Sequence, residues 1–162
     1  MRAAVKRFLA DIVEWVSAVL VVALALVVFL QVFNRYVLQT PLAWSEDLAM
    51  LLFQWVAFLG AAVGVKRMRH FGIELVVRML PERVRHRIEL VVPLLMAVAA
   101  VTMISEGLKL LAVNRNRTYA TMDLSYTWAF LAIPLSGALM IVDLAIHEVR
   151  RWRGTAGGDS HP

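Results

Sequence analysis

Glu106 and Lys109 stand three residues apart inside an apolar run, so on a helix they share a face and can pair. A carboxylate in that setting has several uses. The lysine can neutralise it, the pair reaching outward along its aliphatic stems, or it can serve as a proton or ion site, or as a polar contact with a partner subunit. Glu14 lies within a turn of the end of another apolar run, and Asp143 lies about one turn from the end of a third. A small proton-coupled exporter acting alone would have to work through Glu14 or Glu106. Neither sits at the centre of its run, and no run carries a charge there. Carriers of protons and ions ordinarily place an ionisable group or unwound backbone at mid-depth.

Other chemistries find less support. His70, His86, His147 and His161 do not pair at ligand spacing within any apolar run, and the chain has no cysteine, so neither a haem nor a metal site is expected. Disulfides and iron–sulfur clusters are excluded. No nucleophile–base pair and no glycine-rich phosphate loop is present, and the reading is of a protein that is not an enzyme and holds no cofactor. Glu46-Asp47 is the only adjacent acidic pair, and it stands just before an apolar run, where negative charge suits a helix N-terminus. Ser45 or Thr40 is placed to help cap that helix. Arg35 and Glu46 fall at neighbouring ends of consecutive runs, where a salt bridge would pin the hairpin or either group would reach a partner. Gly60 and Gly64, with Ala57, Ala61 and Ala62 close by, form the small-residue spacing that lets a second helix backbone approach closely, either within this chain or from a different one.

The elements that must position these residues follow from composition. The chain has 162 residues, 60% of them apolar and 18% charged, and its mean hydropathy is +0.70. A soluble domain carrying so much apolar side chain would be left with large exposed patches. Crossing ~30 Å of hydrocarbon takes about 20 apolar residues in a helix, and four segments qualify: residues 12–33, 48–65, 88–113 and 127–147. The expected fold is therefore all-α and integral to a membrane, a single four-helix domain over residues 1–153. The first run is longer than the ~7–15 residues of a signal-peptide core and lacks a small-residue cleavage site, so it is read as a retained span. Pro93 lies in the first turns of span three, and Pro134 is expected to bend span four.

Thirteen of the seventeen Lys and Arg residues fall on one side if both termini are cytoplasmic, and only four if the orientation is reversed; both termini are accordingly placed inside. The formal charge of +5 thus reflects topology, and no nucleic-acid-binding module remains once the apolar runs are set aside. Tyr36, Trp44, Tyr119, Tyr126 and Trp128 flank the two outer loops, as interfacial rings do. Trp55, near the middle of span two, is set to face a neighbouring helix. Between spans two and three, Phe71, Leu75, Val76, Met79 and Leu80 share a helical face, which predicts a short amphipathic helix lying in the interface. The polar segment 154–162 is expected to be a disordered cytoplasmic tail.

One stretch carries a recognisable pattern. Asn34-Arg35 closes span one, Trp44-Ser45-Glu46-Asp47-Leu48 opens span two, Leu59-Gly60-Ala61-Ala62 follows, and then come His70, Ile73-Glu74-Leu75 and Leu80-Pro81 before an arginine-rich segment. This resembles the small membrane subunit of tripartite ATP-independent periplasmic (TRAP) transporters, the DctQ-like family. The family commonly shows Trp-x-Glu-Glu, where this chain has Asp47 second, and commonly an Asp where Glu74 stands; both departures keep the charge. The resemblance implies a bacterial inner-membrane protein that pairs with a large membrane subunit, to which a soluble periplasmic binding protein delivers an organic acid for sodium-coupled uptake. The moving parts would belong to the large subunit, and the small one would brace it. Carried over in this way, Arg35, Trp44 and Glu46 are the residues expected to make structural or partner contacts.

Overall fold

A computed structural model of the chain describes the backbone of residues 2–67 and 82–155, with side chains described within 12–65, at 88 and within 91–146. Among these residues the helices run in the order α1 (Arg2–Tyr36), α2 (Ala43–Arg67), α3 (Glu82–Val113), α4 (Thr127–Phe130) and α5 (Ala132–Thr155). Four stretches are long and apolar enough to cross a membrane: Ile12–Tyr36, Ala43–Val65, Val91–Val113 and Thr127–Ile146, the last built from α4 and α5 together. These are the four expected spans, except that the second starts at Ala43 instead of near residue 48. The expected amphipathic helix after Phe71 lies outside the described residues. So does the tail beyond Thr155, to which α5 extends.

Local chemistry sets the helix ends. α1 closes through Val37 N–H to the Phe33 carbonyl at 2.9 Å and Thr40 N–H to the Asn34 carbonyl at 3.1 Å. Gln39, with φ of 55°, takes the left-handed conformation that reverses the chain. In the first turn of α2, Ser45 is buried at 1% exposure. Its Oγ donates back to the Leu42 carbonyl at 2.7 Å. The capping expected of Ser45 is therefore different in kind: the hydroxyl secures the preceding turn and leaves the first amides of α2 alone. In span four, Pro134 lacks the N–H that would bond the Phe130 carbonyl four residues back. The helix is interrupted at Leu131, in that same turn. Pro93, by contrast, lies inside the continuous α3.

The spans do not gather round a common centre. α1 packs on α2, α2 on α4 and α5, and α5 on α3, whereas α1 makes no extensive contact with α3 or α5 among the described residues. The result is a row in the order span one, span two, span four, span three. Burial is correspondingly thin. The core cluster is Ala62, Ala100 and Met140, with Val65, Met103, Leu139 and Ile141 packed against it. None of the best apolar window of span one is buried, and only 33% of that of span four.

Close packing in the row comes from glycine. A Cβ added to Gly107 of α3 would stand 2.7 Å from the Pro134 ring, and one on Gly137 of α5 would stand 2.9 Å from the Ala100 carbonyl oxygen. Spans three and four therefore meet almost backbone to backbone, the mode that replaces the hydrophobic effect where the solvent is itself apolar.

Candidate partner-contact surface

The end of the row opposite the chain termini is built mainly by the loop between spans three and four. Thr118 and Ser125 form an antiparallel bridge, closed by Tyr126 N–H to the Arg117 carbonyl and Tyr119 N–H to the Leu124 carbonyl, each at 3.0 Å. Inside this turn Tyr119 and Tyr126 stack with ring centroids 4.0 Å apart. The loop is fastened to the head of α2 by Asp47, whose carboxylate accepts from the Thr121 N–H at 3.1 Å and from the Thr121 hydroxyl. Tyr119 is buried at 4% exposure, and its hydroxyl has no hydrogen-bond partner. Burial pushes the Tyr119 phenol above its ordinary pKa, and the charges of Tyr126 and Asp47 push in the same direction.

The residues singled out from sequence fall into three groups. Arg35, Trp44 and Glu46 all lie exposed where α1 ends and α2 begins. Among the described residues Arg35 and Glu46 form no ion pair with each other, so the salt bridge considered for the hairpin is not made. Asp47, one residue after Glu46, carries the structural bond instead.

Glu106 and Lys109 do pair, at 2.7 Å, in the C-terminal half of α3. Both side chains are well exposed, 61% and 69% respectively, so the charges neutralise each other on a face that the row leaves open. The pair is the bland arrangement for charge inside an apolar span. Glu14 is half-buried in α1 and also has an interaction partner.

Gly60 and Gly64 behave unlike Gly107 and Gly137. A Cβ at either would meet nothing within 4 Å. Among the described residues no helix packs on this glycine pair, and its face on α2 is open there.

Sequence reading missed several residues that the fold uses. Trp55 was expected to face a neighbouring helix, but not that its Nε1–H would donate to the Trp128 carbonyl at 3.0 Å, tying span two to span four. With Leu20, Leu51, Leu52, Leu124 and Trp128 it lines a shallow apolar groove. Counting charges alone overlooked Gln54, at the middle of span two, and Ser136 of span four, each with a buried side-chain oxygen that lacks a hydrogen-bond partner. Gly107 and Gly137 had no signal in one sequence, because each meets its partner across a different helix.

Comparison with known proteins decides the family. The family model described as tripartite ATP-independent periplasmic transporters, DctQ component, matches residues 24–154, from within span one to near the end of α5. The chain belongs to the DctQ family. It is a small subunit of TRAP transporters and a multi-pass protein of the bacterial inner membrane. Among the relatives of this DctQ-family chain, the sialic acid TRAP transporter permease protein SiaT of Haemophilus influenzae is 30% identical over 83% of the chain. The small permease protein SiaQ of the sialic acid TRAP transporter of Vibrio cholerae is 29% identical over 84% of the chain and 79% of its own length. The C4-dicarboxylate TRAP transporter small permease protein DctQ of Vibrio cholerae is 31% identical over 50% of the chain. The stretch matched in SiaT is only 22% of that longer protein. These comparisons do not favour an autonomous exporter built on Glu14 or Glu106.

Proposed function

We propose that this chain is the non-catalytic brace of a TRAP-type secondary transporter, held against a large membrane subunit that moves solute while the small subunit stays fixed. The match of residues 24–154 to the DctQ component carries this reading. The open row supports it physically. Apolar side chains such as Val22, Leu26, Phe29, Phe53, Leu95 and Val98 are each exposed by about half or more in the isolated chain, so most of every span is available to lipid or to another protein.

The transported solute is an organic acid, on the strength of relatives named for sialic acid and C4-dicarboxylates. A periplasmic binding protein delivers it, and sodium drives its uptake through the large subunit. Both termini lie in the cytoplasm, which puts Arg35, Trp44, Glu46 and the Asp47-anchored loop on the periplasmic side, where they can touch the large subunit or the binding protein. The amphipathic segment after Phe71 and the basic residues around it hold the inner end at the lipid headgroups.

Purification of the tagged chain after co-expression with its large permease subunit tests the assignment: the two should elute as one complex in mild detergent. Vesicles holding both, supplied with binding protein and a sodium gradient, should take up the solute. Vesicles holding this chain alone should take up none, and active transport by the chain alone would sink the proposal. A reporter active only in the periplasm should stay silent when fused to the C-terminus.

A further inference from the structure

Span one and span four both pack on α2 but make no extensive contact with each other among the described residues. Between them lies an apolar groove of about 290 Å³. Leu20 of α1, Leu51, Leu52 and Trp55 of α2, Leu124 of the loop between spans three and four, and Trp128 of α4 line it. The groove therefore sits toward the end of the row that carries this loop.

We propose that the groove holds one acyl chain of a phospholipid from the leaflet at that end, with the lipid phosphate at the basic turn beside Leu124. Size separates this occupant from a helix. One turn of an α-helix, 10–12 Å across and 5.4 Å in pitch, fills roughly 420 Å³ or more. The groove is smaller than that, whereas a single hydrocarbon chain is thin enough to lie in it. The lining points the same way. Helices of this chain that meet closely do so at Gly107 and Gly137. The groove has neither glycine nor alanine, and its leucines and indoles hold a helix backbone off while offering many carbon contacts. Trp55 spends its one polar atom on the Trp128 carbonyl at 3.0 Å, so its ring asks no hydrogen bond of the occupant.

Charge at the mouth names the rest of the molecule. The segment 114–126 carries Arg115, Arg117 and Asp123, all exposed, two positive charges against one negative. Arg117 belongs to the turn that presents Leu124, its carbonyl accepting the Tyr126 N–H at 3.0 Å. Asp47, which is fastened to the same loop, has its carboxylate engaged by Thr121. A guanidinium so placed suits a phosphate diester. Trp128, 57% exposed, is the kind of ring that settles at headgroup level. The site belongs to this chain alone and does not depend on the brace role.

Native mass spectrometry of the full chain, released from mild detergent, reads the site. The unaltered chain should keep one adduct of phospholipid mass, alone and when co-purified with the large subunit. Leu20→Trp combined with Leu124→Trp fills the groove from two sides, and the adduct-bearing fraction should fall about tenfold as the chain loses its contacts. Leu26→Trp, on an exposed position of α1 outside the groove, should keep the adduct. Arg117→Glu should lower the fraction about threefold, the scale of an exposed charge pair. A second readout needs no filled variant. In vesicles of phosphatidylethanolamine brominated along its acyl chains, the fluorescence that Trp55→Phe removes should be strongly quenched relative to unbrominated vesicles. Unquenched Trp55 emission would overturn the proposal. So would adducts of detergent mass only, or full retention by the filled variant or by Arg117→Glu. Loss of the adduct on binding the large subunit would give the groove to that subunit and overturn it too.

Discussion

At the scale of the residue, two glycine pairs of like appearance have opposite surroundings. Gly137→Leu would press a side chain against the Ala100 carbonyl oxygen, 2.9 Å from where its Cβ must stand, and against Ile104 at the same distance. Backbone cannot rotate away as a flexible side chain can, so a loss of about 1–3 kcal/mol is expected, read as a lower unfolding midpoint in detergent. Gly60→Leu should leave that midpoint unchanged or raise it, because nothing stands in its way and glycine is a poor helix former. Tyr119 gives a pH prediction. Its phenol holds its proton more tightly in the folded chain than at the ordinary value of 10.0. The folded state therefore binds more protons than the unfolded one just above that pH, and stability falls as pH rises through the folded pKa. Below the ordinary value the contribution is fully present. Tyr119→Phe removes the titration, and its neutral-pH cost is small because the hydroxyl it deletes has no hydrogen-bond partner. The difference in unfolding midpoint between variant and parent should be flat from about pH 8 to near pH 10 and then turn in favour of phenylalanine. A difference that stays constant up to about pH 11 would contradict this.

At the scale of the element, the loop between spans three and four is closed on itself and also fastened to α2. Asp47 takes both the amide and the hydroxyl of Thr121, which are 74 residues away in sequence. Asp47→Ala leaves the Tyr119–Tyr126 stack in place but cuts the loop free of the helix. A charge-assisted pair of this sort contributes about 1.5–3 kcal/mol. Hydrogen exchange at the Thr121 amide should accelerate, while amides within α2 and α5 stay protected. Unchanged exchange at Thr121 would show that the carboxylate is not what holds the loop. Span four shows the reverse dependence, on local sequence: Pro134 costs the Phe130 carbonyl its helical partner, and the break at Leu131 follows. The proline ring is then reused as the surface against which Gly107 packs.

At the scale of the whole molecule, a row of four spans has two broad faces and almost no interior. Among the described residues half of the buried apolar side chains are alanines, beside Leu59, Met140, Leu144 and Tyr119, so little of the chain's apolar surface is used in holding itself together. A partner that covers one face stabilises the folded state by mass action. The unfolding midpoint of this chain in detergent should rise when the large subunit is bound, and should depend on the concentration of the two. A midpoint that ignores the partner would mean that the row is complete by itself.

The sequence by itself determined the membrane solvent, the four spans and the family pattern, because each rests on local information: run length against bilayer thickness, and the ordered motif from Asn34 to Pro81. It also placed Glu106 within reach of Lys109, since three residues along a helix fixes that geometry. Only the tertiary structure decided which spans are neighbours, because hydropathy is nearly uniform around helices that face lipid and carries no register between them. For the same reason it took the fold to show that Gly107 and Gly137 are occupied while Gly60 and Gly64 are open. Likewise, Asp47 and not Glu46 ties α2 to the loop between spans three and four, since that choice turns on a residue 74 positions further along the chain.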